Sequence, residues 1–471
     1  MTVRFGTLGR ARSQYDPSHS WLARAVILRL QRPKSRGRAV DLRGDGDTKQ
    51  WIQGAVRSAA SFIRTRSGSG TMAAADADGG TVVAEGAPLR VLLVHVWYWP
   101  HVGGGDQHVE MLGRELVKLG HQVTVWCADV PAHDSRCFSR GGVDVVRLEP
   151  SRILAGVDPV VSLEGLSMDG FDVVHLHDTL PILVRKSLKM ARSAGVPVVT
   201  TYHNDYVKHG LIANGIKRLR WALQGRPTLH SSDARIVLTR YFESLLRAKG
   251  VKGSIDIIPN GFSPISDAAE IPSGLDGRDT NRPLLTFIGR LSEQKGLDVL
   301  MDAWNLLASE SDPGFDLAIA GKGELGEWLT ERIVVASQNS HIHRLGLVSE
   351  GEKRWLLENS TGIVIPSRFE GLPTVMLEAM HMRAPTIMAD VNDLGHLVTE
   401  PGAGLSVPPG DAAALAMAMS RIAQSSGEER ENWGNSGHSA AASYMWPAIT
   451  KDILAVYRRI TNSDESGGGE Q

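Results

Sequence analysis

Pro366-Ser-Arg-Phe-Glu-Gly-Leu-Pro-Thr-Val-Met-Leu-Glu-Ala-Met places Glu370 and Glu378 eight positions apart. Paired carboxylates suggest acid–base hydrolysis, but this spacing argues against it. If both were helical they would stand ~12 Å apart along the axis at ~1.5 Å per residue, whereas glycosidase acid pairs need roughly 5 to 9.5 Å. The pair therefore suits two different parts of one long ligand. Pro373 fits the first turn of a helix and has no NH to offer, so Glu370 falls on the preceding loop and Glu378 within the helix. The amides of Gly371 and Leu372 stay available near the helix start.

A second segment, Phe287-Ile-Gly-Arg-Leu-Ser-Glu-Gln-Lys-Gly-Leu, carries Arg290 and Lys295 on a short loop between a strand and a helix. Fixed cations beside a helix N-terminus can hold a diphosphate leaving group, whose negative charge grows as its bond breaks. Alone, two basic loop residues would be read as solvated. A glycine loop, Ala320-Gly-Lys-Gly-Glu, follows the next strand. Further upstream, Trp99-Pro-His-Val-Gly-Gly-Gly-Asp offers Gly103 and Gly104 at a turn where backbone can approach a phosphate or sugar, or can simply close a tight β-to-α connection. It lacks the G-x-G-x-x-G dinucleotide fingerprint. His203 follows the buried run Val198 to Tyr202 and is expected to face a cleft. His175 and His177 flank another strand end, with no carboxylate or cysteine pattern that specifies zinc, so no metal site is expected.

These residues need elements to position them. From Leu89, β-rich runs alternate with helical patterns, as in a parallel sheet wrapped by helices. The runs are 89–96, 122–127, 143–148, 172–176, 197–202, 234–238 and 255–258. After a polar connector the alternation restarts at 284–288, 316–320, 342–347, 362–366, 385–389 and 405–407, with helices expected near 297–308, 350–359, 373–383 and 411–424. The fold class is α/β, with two doubly wound Rossmann-like domains. Their ligands bind outside the carboxyl ends of the strands, so tandem domains share one cleft. The expected organisation is a basic leader and linker over 1–87, an acceptor domain over 88–262, a connector and hinge over 263–283, a donor domain over 284–445 and a closing helix over 446–461.

The totals agree with two cores: 471 residues, 42% of them hydrophobic. The formal net charge of -1 hides an asymmetry, since residues 1 to 71 hold 14 Lys or Arg against 4 Asp or Glu. That arm lacks the aromatic interleaving, heptads or zinc-ligand spacing of a nucleic-acid binder. Its glycine- and serine-rich end before Met72 reads as linker, and the basic segment reads as lying upstream of the natural start. Cys127 and Cys137 are too few for a disulfide framework. No run reaches the ~18 to 20 apolar residues of a spanning helix. A cytoplasmic protein, at most peripheral at the inner face of the membrane, is the expectation.

Taken together, Gly103 and Gly104, His203, Gly289-Arg290 with Lys295, and Glu370 with Glu378 in an E-x7-E order resemble the retaining GT-B glycosyltransferases of family 4. The resemblance covers about residues 88 to 461. It implies that Arg290 and Lys295 hold the donor diphosphate, and that Glu370 with the Gly371 and Leu372 amides holds the transferred sugar. Glu378 would take the ribose, backbone near Val348 the base, and His203 a place beside the sugar. Gly103 and Gly104 would face the diphosphate from the other domain, and Met445-Trp-Pro would begin a last helix that crosses back. Such enzymes generally need no divalent metal, in keeping with the absence of a strand-borne D-x-D, since Asp76-Ala-Asp78 is linker.

The function expected is transfer of a hexosyl group from a UDP- or GDP-linked donor to an acceptor hydroxyl with retention, without cofactor or metal. The acceptor, whether glycan, lipid or small molecule, is not specified, and no nucleic-acid partner is expected. Two alternatives stand beside it: a nucleotide-sugar epimerase of GT-B fold, and a non-catalytic sugar-nucleotide-binding subunit.

Overall fold

The computed structural model describes residues 86–101, 104–154, 158–203, 215, 218–309, 311–336 and 338–462. The expected leader and linker, apart from Gly86 and Ala87, lie outside these residues, as does Gly103.

In the first half the order is β1 (Arg90–Val94), α1 (Gly104–Lys118), β2 (Gln122–Ala128), β3 (Cys137–Arg140), β4 (Val143–Leu148), β5 (Pro150–Leu154), β6 (Asp158–Val161), β7 (Val173–His177), α2 (Ile182–Ser193), β8 (Val198–Tyr202), β9 (Ala234–Val237), α3 (Arg240–Ala248) and β10 (Asp256–Ile257). The second half runs β11 (Leu284–Ile288), α4 (Leu297–Ala308), β12 (Asp316–Ala320), α5 (Gly326–Val335), β13 (Ile342–Gly346), α6 (Glu350–Asn359), β14 (Gly362–Ile365), α7 (Thr374–His381), β15 (Thr386–Ala389), β16 (Gly404–Val407), α8 (Ala412–Ala423), α9 (Gly427–Ala441) and α10 (Trp446–Asn462).

The strand order of the first sheet is β10-β9-β8-β7-β1-β2-β4-β3, and that of the second is β13-β12-β11-β14-β15-β16. Strands β1, β8 and β12 carry mostly apolar or small residues, β7 adds the buried His175 and His177, and all four are buried on both faces apart from Arg90, which is what helices covering both sides of a parallel sheet demand. Each sheet reverses its winding beside its first strand, between β1 and β7 and between β11 and β14. Loops leaving those strands diverge, opening a crevice at each switch point. The chain therefore has the GT-B fold.

Some elements go beyond the periodic pattern. Strand β3 pairs antiparallel with β4, and β5 with β6, as short and partly exposed ribbons that carry no long apolar run. Helix α9 has a weak apolar face interrupted by Gly434 and Gly437, yet α7 packs closely enough on it that a Cβ on Gly437 would stand 3.4 Å from the Met380 Cα. The connector is ordered where it meets the second sheet: Leu275 is buried there, and Arg282 bonds Asp316 at 3.0 Å and Asp312 at 2.7 Å. Free hinging over its whole length does not fit these contacts.

Helix α10 returns to the first domain. Trp446, Ile449, Ile453 and Tyr457 enter the same core as Val91, Leu93 and Val109. The buried Tyr457 hydroxyl lies 2.7 Å from His175 Nδ1 on β7. Burying such side chains contributes about 1.5–3 kcal/mol each, so α10 is part of that domain's core although its sequence follows the second sheet. Among the described residues no helix is long and apolar enough to cross a membrane.

Candidate functional site

Both switch points open onto one cleft of about 930 Å³. Its walls come from both halves, including His95, Asp106, His203 and Asn260 from the first and Arg290, Lys295, Val348, Glu370 and Glu378 from the second.

The second-sheet side is built by backbone geometry. Strand β11 ends at Ile288, and the loop passes through a short turn at Glu293–Lys295 to Gly296, whose φ is 67°. A Cβ at Gly296 would come within 2.0 Å of the Pro366 carbonyl, so only glycine lets this loop lie against the end of β14. That approach brings Lys295 Nζ to 2.6 Å from Glu370 Oε1, and Ser367 Oγ donates to the same oxygen at 2.6 Å. Gln294 Nε2 donates to the Phe369 carbonyl at 2.8 Å, and Asn392 Nδ2 donates to the Glu370 carbonyl at 2.6 Å. The carboxylate is thus held from both its side chain and its backbone.

Pro373 precedes α7 as its cap residue rather than lying inside the first turn. The Gly371 and Leu372 amides donate to no described group, so they remain available to a ligand. Arg290 is exposed on the cleft wall, and its guanidinium has no partner among the described residues. Glu378 projects from α7, where Lys353 Nζ on α6 donates to its Oε1 at 2.8 Å while Oε2 is buried without a partner. Burial raises the Glu378 carboxyl above its usual range, and Lys353 offsets only part of that rise. Val348 and Leu347 line the same end of the cleft.

On the first-sheet side, His203 follows β8 at the cleft, and a Cβ on Gly371 would stand 3.8 Å from its carbonyl oxygen. The two halves therefore meet closely beside Glu370. Burial drives His203 well below the ordinary imidazole range, reinforced by the neighbouring His108, so the ring is neutral near pH 7. Gly104 begins α1, and Asp106 lies in its first turn. Burial pushes the Asp106 carboxyl up, but His95 Nε2 at 3.3 Å and His101 Nδ1 hold it below its usual range. Asp178, beside His177, also faces the cleft with its carboxyl pushed up by burial.

His203, Arg290, Lys295, Val348, Glu370, Gly371, Leu372 and Glu378 thus gather at one cleft, whereas Gly104 begins α1 just before the lining Gly105 and Gly103 lies outside the described residues. Sequence reasoning missed Lys353, Ser367, Asn392, Asp106 and His108. Lys353 is 25 positions from its partner Glu378 on another helix, with no local pattern to mark it. Asp106 closes the glycine loop and was legible as the start of α1, but its two histidine partners were not.

Comparison with known proteins agrees with this arrangement. Residues 102–264 match the family described as Glycosyltransferase Family 4, and residues 276–440 match Glycosyl transferases group 1. The chain is 27% identical over 386 residues to a phosphatidyl-myo-inositol mannosyltransferase of Propionibacterium freudenreichii, covering 78% of this chain and 94% of that one. It is 26% identical over 399 residues to a glycogen synthase of Mycobacterium tuberculosis, again covering 78% and 94%. Its fold matches that of Anabaena HepE, solved in complex with UDP-glucose, with a TM-score of 0.58 at 15% identity over 78% of this chain and 99% of that one. With a Family 4 match in its first half, a group 1 match in its second and one cleft between their switch points, the chain is a glycosyltransferase of the GT-B type.

Proposed function

We propose that the enzyme transfers a hexosyl group from a UDP- or GDP-linked sugar to an acceptor hydroxyl with retention of anomeric configuration. The observation that carries this reading is the Lys295–Glu370 contact at the second switch point, 2.6 Å long and facing His203 across the cleft. Lys295 and Arg290 hold the donor diphosphate and stabilise the charge that grows as the sugar bond breaks. Glu370 and the Gly371 and Leu372 amides orient the sugar hydroxyls. Glu378, steadied by Lys353, accepts from the ribose, and backbone near Val348 holds the base. His203, as a neutral ring, shares one hydrogen bond with the sugar, while Gly104 and its neighbour Gly103 give the ligand room on the opposite wall.

In this scheme the leaving diphosphate oxygen takes the acceptor proton on the same face as the departing bond, so the product keeps its configuration. Fixed cations stand in for a divalent metal, and no cofactor takes part. The reaction is placed in the cytoplasm. Support for a nucleotide donor comes from HepE, which binds UDP-glucose.

A thermal-shift screen of nucleotide sugars identifies the donor, since a ligand at ~100 times its dissociation constant adds ~2.7 kcal/mol of stability. The anomeric configuration of the glycoside formed with that donor, read by NMR, then tests the reaction. An inverted product overturns retention, and a new sugar epimer formed from donor alone favours an epimerase instead.

A further inference from the structure

Three imidazoles from separate elements converge behind the wall of the cleft: His108 on α1, His177 at the end of β7 and His203 just beyond β8. Each offers one ring nitrogen, and the three nitrogens lie within 4.8 Å of one another. A tetrahedral ion bound at ~2.0–2.1 Å holds its ligand nitrogens ~3.4 Å apart, so side-chain rotations of about 1 Å close the set. His177 Nδ1 and His203 Nε2 already stand 3.0 Å apart.

The donor chemistry fits a metal. His108 Nδ1 lies 2.9 Å from Asn260 Oδ1, and because that oxygen can only accept, Nδ1 carries the hydrogen and Nε2 keeps its lone pair. His108 Nε2 is buried with no partner. A lone pair left buried in this way is costly unless something completes it. A ligating histidine whose second nitrogen donates to an oxygen is the usual outer-shell arrangement, and Asn260 supplies it here. One nitrogen of the His177–His203 contact carries a hydrogen, and that ring binds an ion through its other tautomer, with no net proton released.

We propose that His108, His177 and His203 form a site for a borderline transition-metal ion of the zinc(II) class, with a fourth position open to water on the His203 side. Three imidazoles and no carboxylate suit zinc, cobalt or nickel and do not suit magnesium. An ion here immobilises His203. On the functional reading above, that ring belongs beside the transferred sugar, so the ion inhibits transfer instead of assisting it.

Untagged full-length protein, freed of metal with chelator and titrated with cobalt(II) chloride, tests the site. Tetrahedral cobalt gives intense visible d–d bands, expected to saturate at one ion per chain and to vanish when zinc(II) displaces it. His203→Ala, at the accessible edge, abolishes the bands, and Asn260→Ala weakens binding ~10–100-fold by loss of the outer-shell acceptor. Absence of bands in excess cobalt, or bands unchanged in His203→Ala, overturns the site. Zinc at the concentration that displaces cobalt and abolishes the bands is expected to suppress transfer, and undiminished transfer at that concentration overturns the inhibitory role. The cobalt spectrum needs no donor sugar, so its outcome is independent of whether the proposed reaction is right.

Discussion

Lys295 Nζ and Glu370 Oε1, 75 residues apart in the chain, are joined at 2.6 Å across the switch point of the second sheet. Lys295 is the half-buried partner and Glu370 the buried one, with 24% and 7% of their side chains exposed. Arg290, on the same loop, is exposed and unpaired among the described residues. The two cations share one expected role but differ in structural setting, and that difference can be measured.

Lys295→Ala and Arg290→Ala should each lower the transfer rate ~100- to 1000-fold, the usual loss when one fixed stabiliser of a developing oxyanion is removed. Only Lys295→Ala should also lower the melting temperature. It leaves a buried carboxylate with Ser367 as its remaining side-chain partner, at a cost of about 1–3 kcal/mol. Rate assays paired with thermal melts of both variants check this, and near-normal rates in both would remove the diphosphate assignment.

The two glutamates should separate by kinetics. Glu370→Gln is expected to reduce kcat, because the sugar it holds becomes positively charged in the transition state. Glu378→Gln is expected to raise KM for the donor, because ribose hydroxyls are held alike in ground and transition states. Calorimetric titration with the free nucleoside diphosphate, which carries ribose but no sugar, should show weaker binding in the Glu378 variant and little change in the Glu370 variant. The reverse order refutes the assignment.

Glu378 carries a stability signature as well. Burial raises its folded pKa above the unfolded value, so its protonated form favours folding. That contribution is full below the unfolded pKa and is lost as pH rises through the folded one. Glu378→Gln should therefore flatten the loss of stability with rising pH across that window. Lys353→Met should steepen it and destabilise the fold at neutral pH by about 1–3 kcal/mol, having stripped a buried carboxylate of its cation. Urea melts of both variants against pH decide it, and identical pH profiles would exclude a coupled pair.

Exhaustive chelation should leave transfer intact or raise it, since side-chain cations occupy the place of a divalent ion and any ion on the histidines is removed. An enzyme that loses activity in EDTA and recovers only with magnesium or manganese contradicts both expectations.

Tyr457→Phe should destabilise the first domain without touching the cleft. His175 Nδ1 loses a 2.7 Å partner in a fully buried site, with Thr201 Oγ1 at 2.7 Å on its other nitrogen as the remaining contact. A cost of about 1–3 kcal/mol follows for the orphaned nitrogen, read as a lower denaturant midpoint with an unchanged KM for donor. A changed KM would mean that α10 shapes the site directly.

What the sequence determined by itself was periodic or contiguous. Strands such as Val198–Tyr202 are buried on both faces and announce themselves as unbroken apolar or small-residue runs, and restarting the alternation at Leu284 divides the chain into two doubly wound sheets. Arg290 with Lys295 and Glu370 with Glu378 were legible because each pair sits on one short segment beside a predicted strand end. Tertiary structure alone decided which segments meet. Gly296 could be read as a turn, but its close approach to Pro366, which carries Lys295 to Glu370, depends on β11 and β14 being neighbours in the sheet. Lys353 meets Glu378 through the packing of two helices, and His108, His177 and His203 converge from elements far apart in the chain. Local periodicity reports which face of an element is buried, whereas contacts between elements follow from strand order, and strand order is set by how the whole sheet buries its two faces.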